Sequence, residues 1–191
     1  SGIVLLGSDT PANLRRQLRS VRRAAPGLPP LIASDEEGGT VQRLAEAIRP
    51  LPSAETMGKW PPAKLQRTAR SYGRAMASLG VRMSLAPVAD LRVPGSYIDD
   101  LNRGFSSNPK RVGHAVTAWS RGLAAAGVVA VPKHWPGHGH AVDTHQFAAT
   151  IPAYRKLLRA DLVPFRMAFA DGAAAVMVGH LQSRGLTRPG E

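Results

Sequence analysis

Thirteen residues from Lys133 to His145, reading KHWPGHGHAVDTH, hold four histidines, one lysine and one aspartate. Imidazole titrates near neutrality, so such a segment can move protons, bind a metal ion, or satisfy loop carbonyls. Pro136, Gly137 and Gly139 make it a loop, and no recognisable helix sets two imidazoles one turn apart as a metal site would use them. Asp143 and His145 are separated by one residue, so in an extended segment both side chains leave on the same side. A carboxylate beside an imidazole fixes its tautomer and raises its pKa, which makes a proton donor usable near neutrality. The catalytic-loop reading is therefore favoured over the metal and purely structural ones.

A second cluster runs from Ser34 to Arg43 as SDEEGGTVQR. Its three adjacent acids follow a run that reads as a buried strand. Either they cap a helix, with the glutamates facing solvent, or Asp35 accepts hydrogen bonds from two hydroxyls of a ligand while Arg43 points back to the same pocket. A third cluster, DDLNRGF over residues 99–105, offers Arg103 as either a surface arginine or a ligand clamp on a long loop.

These residues need strands and helices to position them. Short β-rich runs at residues 3–6, 31–34, 81–88, 128–131 and 174–178 read as strands. Thr10 and Pro11 open a helix with Leu14, Leu18 and Val21 as its apolar stripe. Residues 62–79 form a second, with Leu65, Tyr72, Met76 and Leu79 on one face and Gly80 as the stop. Asn108 and Pro109 cap a third, which turns Val112, Val116, Trp119 and Leu123 inward. Asp161 starts a fourth, carrying Phe165 and Phe169 and ended by Gly172.

Strand and helix in alternation mean parallel βα units. The later strands begin near residues 81, 128 and 174, about one unit every 46 residues, which leaves room for substantial loops. Asp35, Asp90, Lys133 with His134, and His180 each fall at or just beyond the C-terminal end of a different strand. A closed barrel builds its active site there. The competing open doubly wound sheet lacks a glycine-rich GxGxxG turn after any strand. The expected fold is therefore α/β, a (β/α)8 barrel of the TIM type. About five units are present as one domain over residues 1–191, with the remaining strands expected beyond Glu191.

Composition narrows the function classes. With no cysteine, neither a disulfide framework nor a cysteine metal site can form. No apolar run approaches the roughly 20 residues of a membrane helix. Twenty-five basic against thirteen acidic residues give a net charge of +12, which raises nucleic-acid binding. The arginines, however, gather on predicted helices away from the apolar stripes, and aromatics do not interleave with them. A solvated outer layer of arginine-rich helices accounts for the charge.

Five blocks carry a family resemblance: SDEEGGTVQRL (34–44), LAPVADL (85–91), NRGFSSNP (102–109), KHWPGHGHAVDTH (133–145) and LVPFRMAFADGAAAVMVGHL (162–181). In this order the chain resembles the β-N-acetylhexosaminidase branch of glycoside hydrolase family 3, and the KHWPGHG…DTH block is the most specific of the five. The resemblance implies a retaining exo-glycosidase acting on terminal β-linked N-acetylglucosamine, with peptidoglycan fragments as the natural substrate. It implies that Asp35, Arg43, Arg103, Lys133 and His134 bind the terminal sugar. It also implies that Asp143 and His145 form the acid/base dyad, with His145 protonating the leaving oxygen. The implied partner is a carbohydrate, with no nucleic acid, no cofactor and no metal. Members work both in the cytoplasm and outside the membrane.

The chain departs from the family pattern at Thr40, where arginine is expected, and at Trp135, where phenylalanine is commoner. Its histidine loop is about one residue shorter than usual. The family's nucleophile, an aspartate on a strand after the MVGHL block, is expected beyond Glu191, so residues 1–191 alone are expected to be inactive and poorly folded. Two alternatives remain: an N-acetylglucosaminide phosphorylase using the same site, and a non-catalytic sugar-binding remnant.

Overall fold

The computed structural model describes residues 2–7, 10–144 and 149–188. β1 (Gly2–Leu5) is followed by α1 (Leu14–Ala24) and β2 (Leu31–Ser34). Next come a hairpin of β3 (Glu36–Gly38) and β4 (Val41–Gln42), the short α2 (Ala54–Met57), the long α3 (Pro62–Leu79) and β5 (Met83–Ser84). A loop carrying α4 (Tyr97–Asp100) leads into α5 (Pro109–Ala124) and β6 (Val129–Ala130). The chain then passes through β7 (Ala149–Ile151), α6 (Tyr154–Leu157), α7 (Leu162–Ala170) and β8 (Leu181–Ser183).

β1, β2, β5 and β6 lie side by side in that order, all parallel, each joined to the next by a helix-bearing connection. The row continues past β6 without a further regular strand. Val88 bridges Lys133, Trp135 bridges Val178, and the Trp135 N–H donates to the Met177 carbonyl at 2.8 Å. These five consecutive parallel segments are the expected succession of barrel strands. The third and fifth are shorter in regular pairing than residues 81–88 and 174–178 suggested. The parallel pair β7–β8 and the hairpin β3–β4 were not expected.

α3 and α5 pack against each other and cover the row. The face of α3 formed by Leu65, Ala69, Tyr72 and Met76 is buried, as the i, i+4, i+7 spacing requires. Gly80 closes the helix at φ 97°, and its N–H bonds to the Met76 and Ala77 carbonyls. On α5 the Asn108 side chain caps the Arg111 N–H, and Val112, Val116, Trp119 and Leu123 all face inward. Gly122 sets the distance between the helices: a Cβ there would lie 2.4 Å from the Gln66 carbonyl oxygen of α3. Trp119, at 1% exposure, is the largest fully buried side chain. Its burial contributes at least the ~1.5–3 kcal/mol expected of a large apolar group.

Three expectations change at residue level. Thr10 does not cap α1; its hydroxyl donates to the Arg43 carbonyl at 2.7 Å, which ties the segment before α1 to the hairpin. Val21 and Phe169 are 38% and 45% exposed and fall outside the stripes assigned to them. The acids at 35–37 cap no helix, because that stretch folds back as β3 and β4.

Candidate active site

The hairpin explains how one acidic run serves two purposes. Side chains alternate along an extended segment. Asp35 and Glu37 therefore turn one way and Glu36 the other.

Glu37 sits at the centre of a buried ion cluster. Arg103 grips it with two parallel bonds, Nε to Oε2 and Nη2 to Oε1, both 2.8 Å. Lys133 Nζ reaches the same carboxylate at 2.7 Å and also donates to Asp35 Oδ1. Burial alone would raise the Glu37 pKa. The Arg103 hydrogen bonds and the two neighbouring cations outweigh it and hold the carboxyl below its usual range. Burial likewise opposes the charge of Arg103, but bonding to Glu37 raises its pKa further. Two acids thus hold two bases in a fixed frame, and only Asp35, 19% exposed at its side chain, is appreciably open to the cleft.

Glu36 points into the protein. Ser34 Oγ donates to its Oε1 at 2.6 Å and the Tyr72 hydroxyl to its Oε2. Gln42 Nε2 donates to that hydroxyl, and Gln42 Oε1 accepts the Leu51 N–H at 2.8 Å. This chain of bonds clamps the hairpin to α3. Burial raises the Glu36 pKa despite these donors, and burial beside Glu36 also raises that of Tyr72. A raised carboxyl pKa contributes stability that is fully present below the unfolded value near 4.5 and is lost as pH rises through the folded value. Glu36→Gln in the full-length protein should therefore destabilise more at pH 5 than at pH 8. Urea unfolding at the two pH values measures the difference, and a penalty that grows with pH would contradict the burial-dominated reading of Glu36.

Asp90 anchors the histidine loop. Its side chain is fully buried, and it accepts the His134 N–H at 3.1 and 3.2 Å, the His138 N–H at 2.7 Å, and His134 Nδ1 at 2.7 Å. Burial would raise its pKa, but the His134 imidazole and the N–H donors hold it below the usual range. An ionised carboxylate can only accept, so Nδ1 of His134 carries the proton and a neutral ring keeps Nε2 as an acceptor. His138 packs beside this ring, with centroids 5.4 Å apart, and beside Tyr97 at 6.0 Å. Burial lowers the His138 pKa, so the ring stays neutral at pH 7. Its Nε2 lies 3.3 Å from Thr144 Oγ1, which ties the far end of the loop to its middle. His140 faces Asp161, ahead of α7, at 3.3 Å.

The ion cluster around Glu37 and the rings of His134 and His138 border one cleft of about 580 Å3, walled by residues at or beyond the ends of β1, β2, β5 and β6 and by the bridge at Val178. Asp35, Arg43, Arg103, Lys133 and His134 all line it, as do His138, Tyr97, Thr144 and His180. Arg43 is fixed by its backbone, with its N–H on the Asp35 carbonyl, while its buried Nε has no hydrogen-bond partner among the described residues. Asp143 is half-buried next to Thr144, and His145 lies outside the described residues. Among the described residues no group of three or more His, Cys, Asp or Glu side chains could hold a metal ion. Glu37, Asp90, His138 and Tyr97 were not assigned roles from sequence. For Glu37 the signal was available in its two-residue spacing from Asp35.

A polar cleft at the C-terminal ends of successive parallel strands is the active-site position of a (β/α)-barrel enzyme. The chain matches the Glycosyl hydrolase family 3 N terminal domain over residues 5–188 and belongs to that family. It is 37% identical over 190 residues to "Beta-hexosaminidase LpqI" of Mycobacterium tuberculosis, covering 97% of this chain and 49% of that protein. It is 40% identical over 171 residues to a "Beta-hexosaminidase" of Stenotrophomonas maltophilia, covering 85% and 50%. The chain thus spans about half the length of the curated relatives it matches. Among solved structures, M. tuberculosis LpqI superposes with a TM-score of 0.90 at 37% identity, covering 97% of this chain and 55% of that one. NagZ from Neisseria gonorrhoeae in complex with N-trifluoroacetyl-D-glucosamine superposes at 0.86 with 30% identity, covering 95% and 57%.

Proposed function

We propose that the full-length protein is a retaining exo-glycosidase that releases terminal β-linked N-acetylglucosamine, with peptidoglycan fragments as its natural substrate. The observation that carries this reading is the meeting of Asp35, Arg43, Arg103, Lys133 and His134, from five separate sequence positions, on one cleft. The relatives named beta-hexosaminidase, and the N-trifluoroacetyl-glucosamine bound by NagZ, support the choice of sugar.

Each residue has a task in this reading. Asp35 meets Lys133 through Oδ1 and offers Oδ2 to a sugar hydroxyl. His134, held through Nδ1 by Asp90, presents Nε2 to another. Arg43 and Arg103 donate to ring substituents. Asp143 orients His145, which protonates the leaving oxygen while a carboxylate attacks the anomeric carbon. We place that nucleophile on a further barrel strand outside these 191 residues. In the second step the neutral imidazole takes a proton from the water that opens the glycosyl-enzyme.

The test uses the full-length protein with an aryl N-acetyl-β-glucosaminide and a natural disaccharide, with and without phosphate. Hydrolysis at the same rate in both buffers is expected. Accumulation of sugar 1-phosphate would make the protein a phosphorylase, whose phosphate a neutral histidine repels less than a carboxylate would. His145→Ala should lower kcat on the disaccharide about a hundredfold or more and act much less on the aryl substrate, whose leaving group needs little protonation. Equal losses on both would remove His145 from the acid/base role.

A further inference from the structure

The eleven residues of α1 include Arg15, Arg16, Arg19, Arg22 and Arg23, and no acid. At 100° per residue all five fall within an arc about 120° wide. Leu14 and Leu18 occupy the buried side, and every one of the five arginines is exposed. Among the described residues none of the five forms an ion pair or a side-chain hydrogen bond. Among the described residues, Glu46 is an acid bonded to the segment before the helix, where it accepts the Thr10 N–H. Arg15, Arg16, Arg19 and Arg23 frame a surface groove with Asn13 and Ser20.

A second observation lies at the C-terminal end of the same helix. The turn Pro26-Gly27-Leu28-Pro29 projects outward. Gly27 has φ 88°, and a Cβ there would meet nothing within 4 Å. Leu28 is 90% exposed, the most exposed large apolar residue described, and Leu31, three residues on, is 41% exposed. This turn feeds the N-terminal end of β2, whereas the cleft lies beyond the C-terminal ends of the strands. The apolar tip is therefore on the side of the fold away from the cleft, and the basic arc runs along the flank from Arg15, nearer the cleft end of β1, to Arg23 beside the tip.

We infer that this face docks the protein on an anionic lipid bilayer, with the arginines among the headgroups and Leu28 entering the interface. Basic groups attract an anionic surface, and an exposed leucine gains only from an apolar one. A nucleic acid would use the charge but leave Leu28 without a partner. The first 59 residues also contain no Phe, Tyr or Trp on which bases could stack. Docked by this flank and tip, the protein keeps the cleft, beyond the opposite ends of the strands, open to soluble sugars.

Flotation of the full-length protein with vesicles tests the inference. It should rise with phosphatidylcholine vesicles containing phosphatidylglycerol, stay behind with pure phosphatidylcholine, and be released as salt increases. The triple variant Arg15→Glu, Arg19→Glu, Arg23→Glu should lower partitioning at least about a hundredfold, since each basic residue contributes roughly fivefold. Its unchanged thermal unfolding and unchanged turnover of soluble substrate would show an intact fold. Leu28→Trp should shift its emission to the blue on the anionic vesicles alone. Failure to float, equal flotation of the triple variant, or an unshifted Trp signal would overturn the proposal. Retention on duplex DNA with no vesicle binding would assign the face to nucleic acid instead.

Discussion

Glu37→Ala in the full-length protein is expected to cost about 3–5 kcal/mol of folding stability. The substitution removes one carboxylate but strands two cations. Arg103 and Lys133 have side chains 9% and 3% exposed, and Glu37 is the carboxylate they share. Lys133 would keep Asp35, at the rim, while Arg103 would keep its packing over the Tyr97 ring, 5.4 Å away, and the field of Asp90, with no carboxylate bonded to it. Asp35→Ala should cost much less, because Lys133 then still has Glu37. The pH dependence has a definite sign. A depressed carboxyl pKa contributes stability that is present above the unfolded value near 4.5 and is lost as pH falls through the folded value. The gap between wild type and Glu37→Ala should therefore close on acidification. Denaturant midpoints at pH 7 and pH 4 measure it. A loss below about 1 kcal/mol at pH 7, the range of an exposed surface pair, would mean that the cluster holds nothing together.

How much of this was legible in the sequence depends on the range of the interaction that decides each feature. The long helices α3 and α5 follow from apolar residues three and four apart with a proline at the start and a glycine near the end, all local signals. Regular strand pairing is less local. Residues 81–88 and 174–178 have the composition of strands, but only Met83–Ser84 pair regularly, with Val88 and Val178 as isolated bridges, because neighbouring segments decide where the ladder forms. The hairpin over 36–42 was missed because three acids in a row suggested a helix start. Gly38 at φ 94° and Gly39 at φ 59° make the turn instead. Among the sugar-binding candidates, Asp35, Lys133 and His134 stood out because they follow strand ends, whereas the roles themselves, and Arg43 and Arg103 with them, came from the family resemblance. Asp90 follows a strand end too, yet its role depends on a loop more than forty residues later, which no local pattern reveals. Tyr72 looked like an ordinary core residue of α3, and its ring is buried as expected. Only the fold shows that its hydroxyl reaches Glu36.

Asp90→Asn should lower kcat/KM about a hundredfold or more, equal to ~2.7 kcal/mol of transition-state binding, although Asp90 is a positioning residue that acts through His134. The side chain has three N–H donors to satisfy: the His134 backbone, the His134 ring and the His138 backbone. An aspartate has two acceptor oxygens for them. An asparagine has one, and its NH2 would face a donor. The least disruptive relief is for His134 to move its proton to Nε2, which turns an acceptor in the cleft into a donor. That exchange should weaken binding of an N-acetylglucosamine-like inhibitor in proportion to the loss in kcat/KM. It should leave the dependence on leaving group unchanged, since the proposed mechanism gives protonation of the aglycone to His145. A role confined to general stability would instead lower the unfolding midpoint with inhibitor affinity intact. A leaving-group dependence that steepens in Asp90→Asn would mean that Asp90 acts on the proton donor itself, and the division of labour between the two ends of the histidine loop would have to be redrawn.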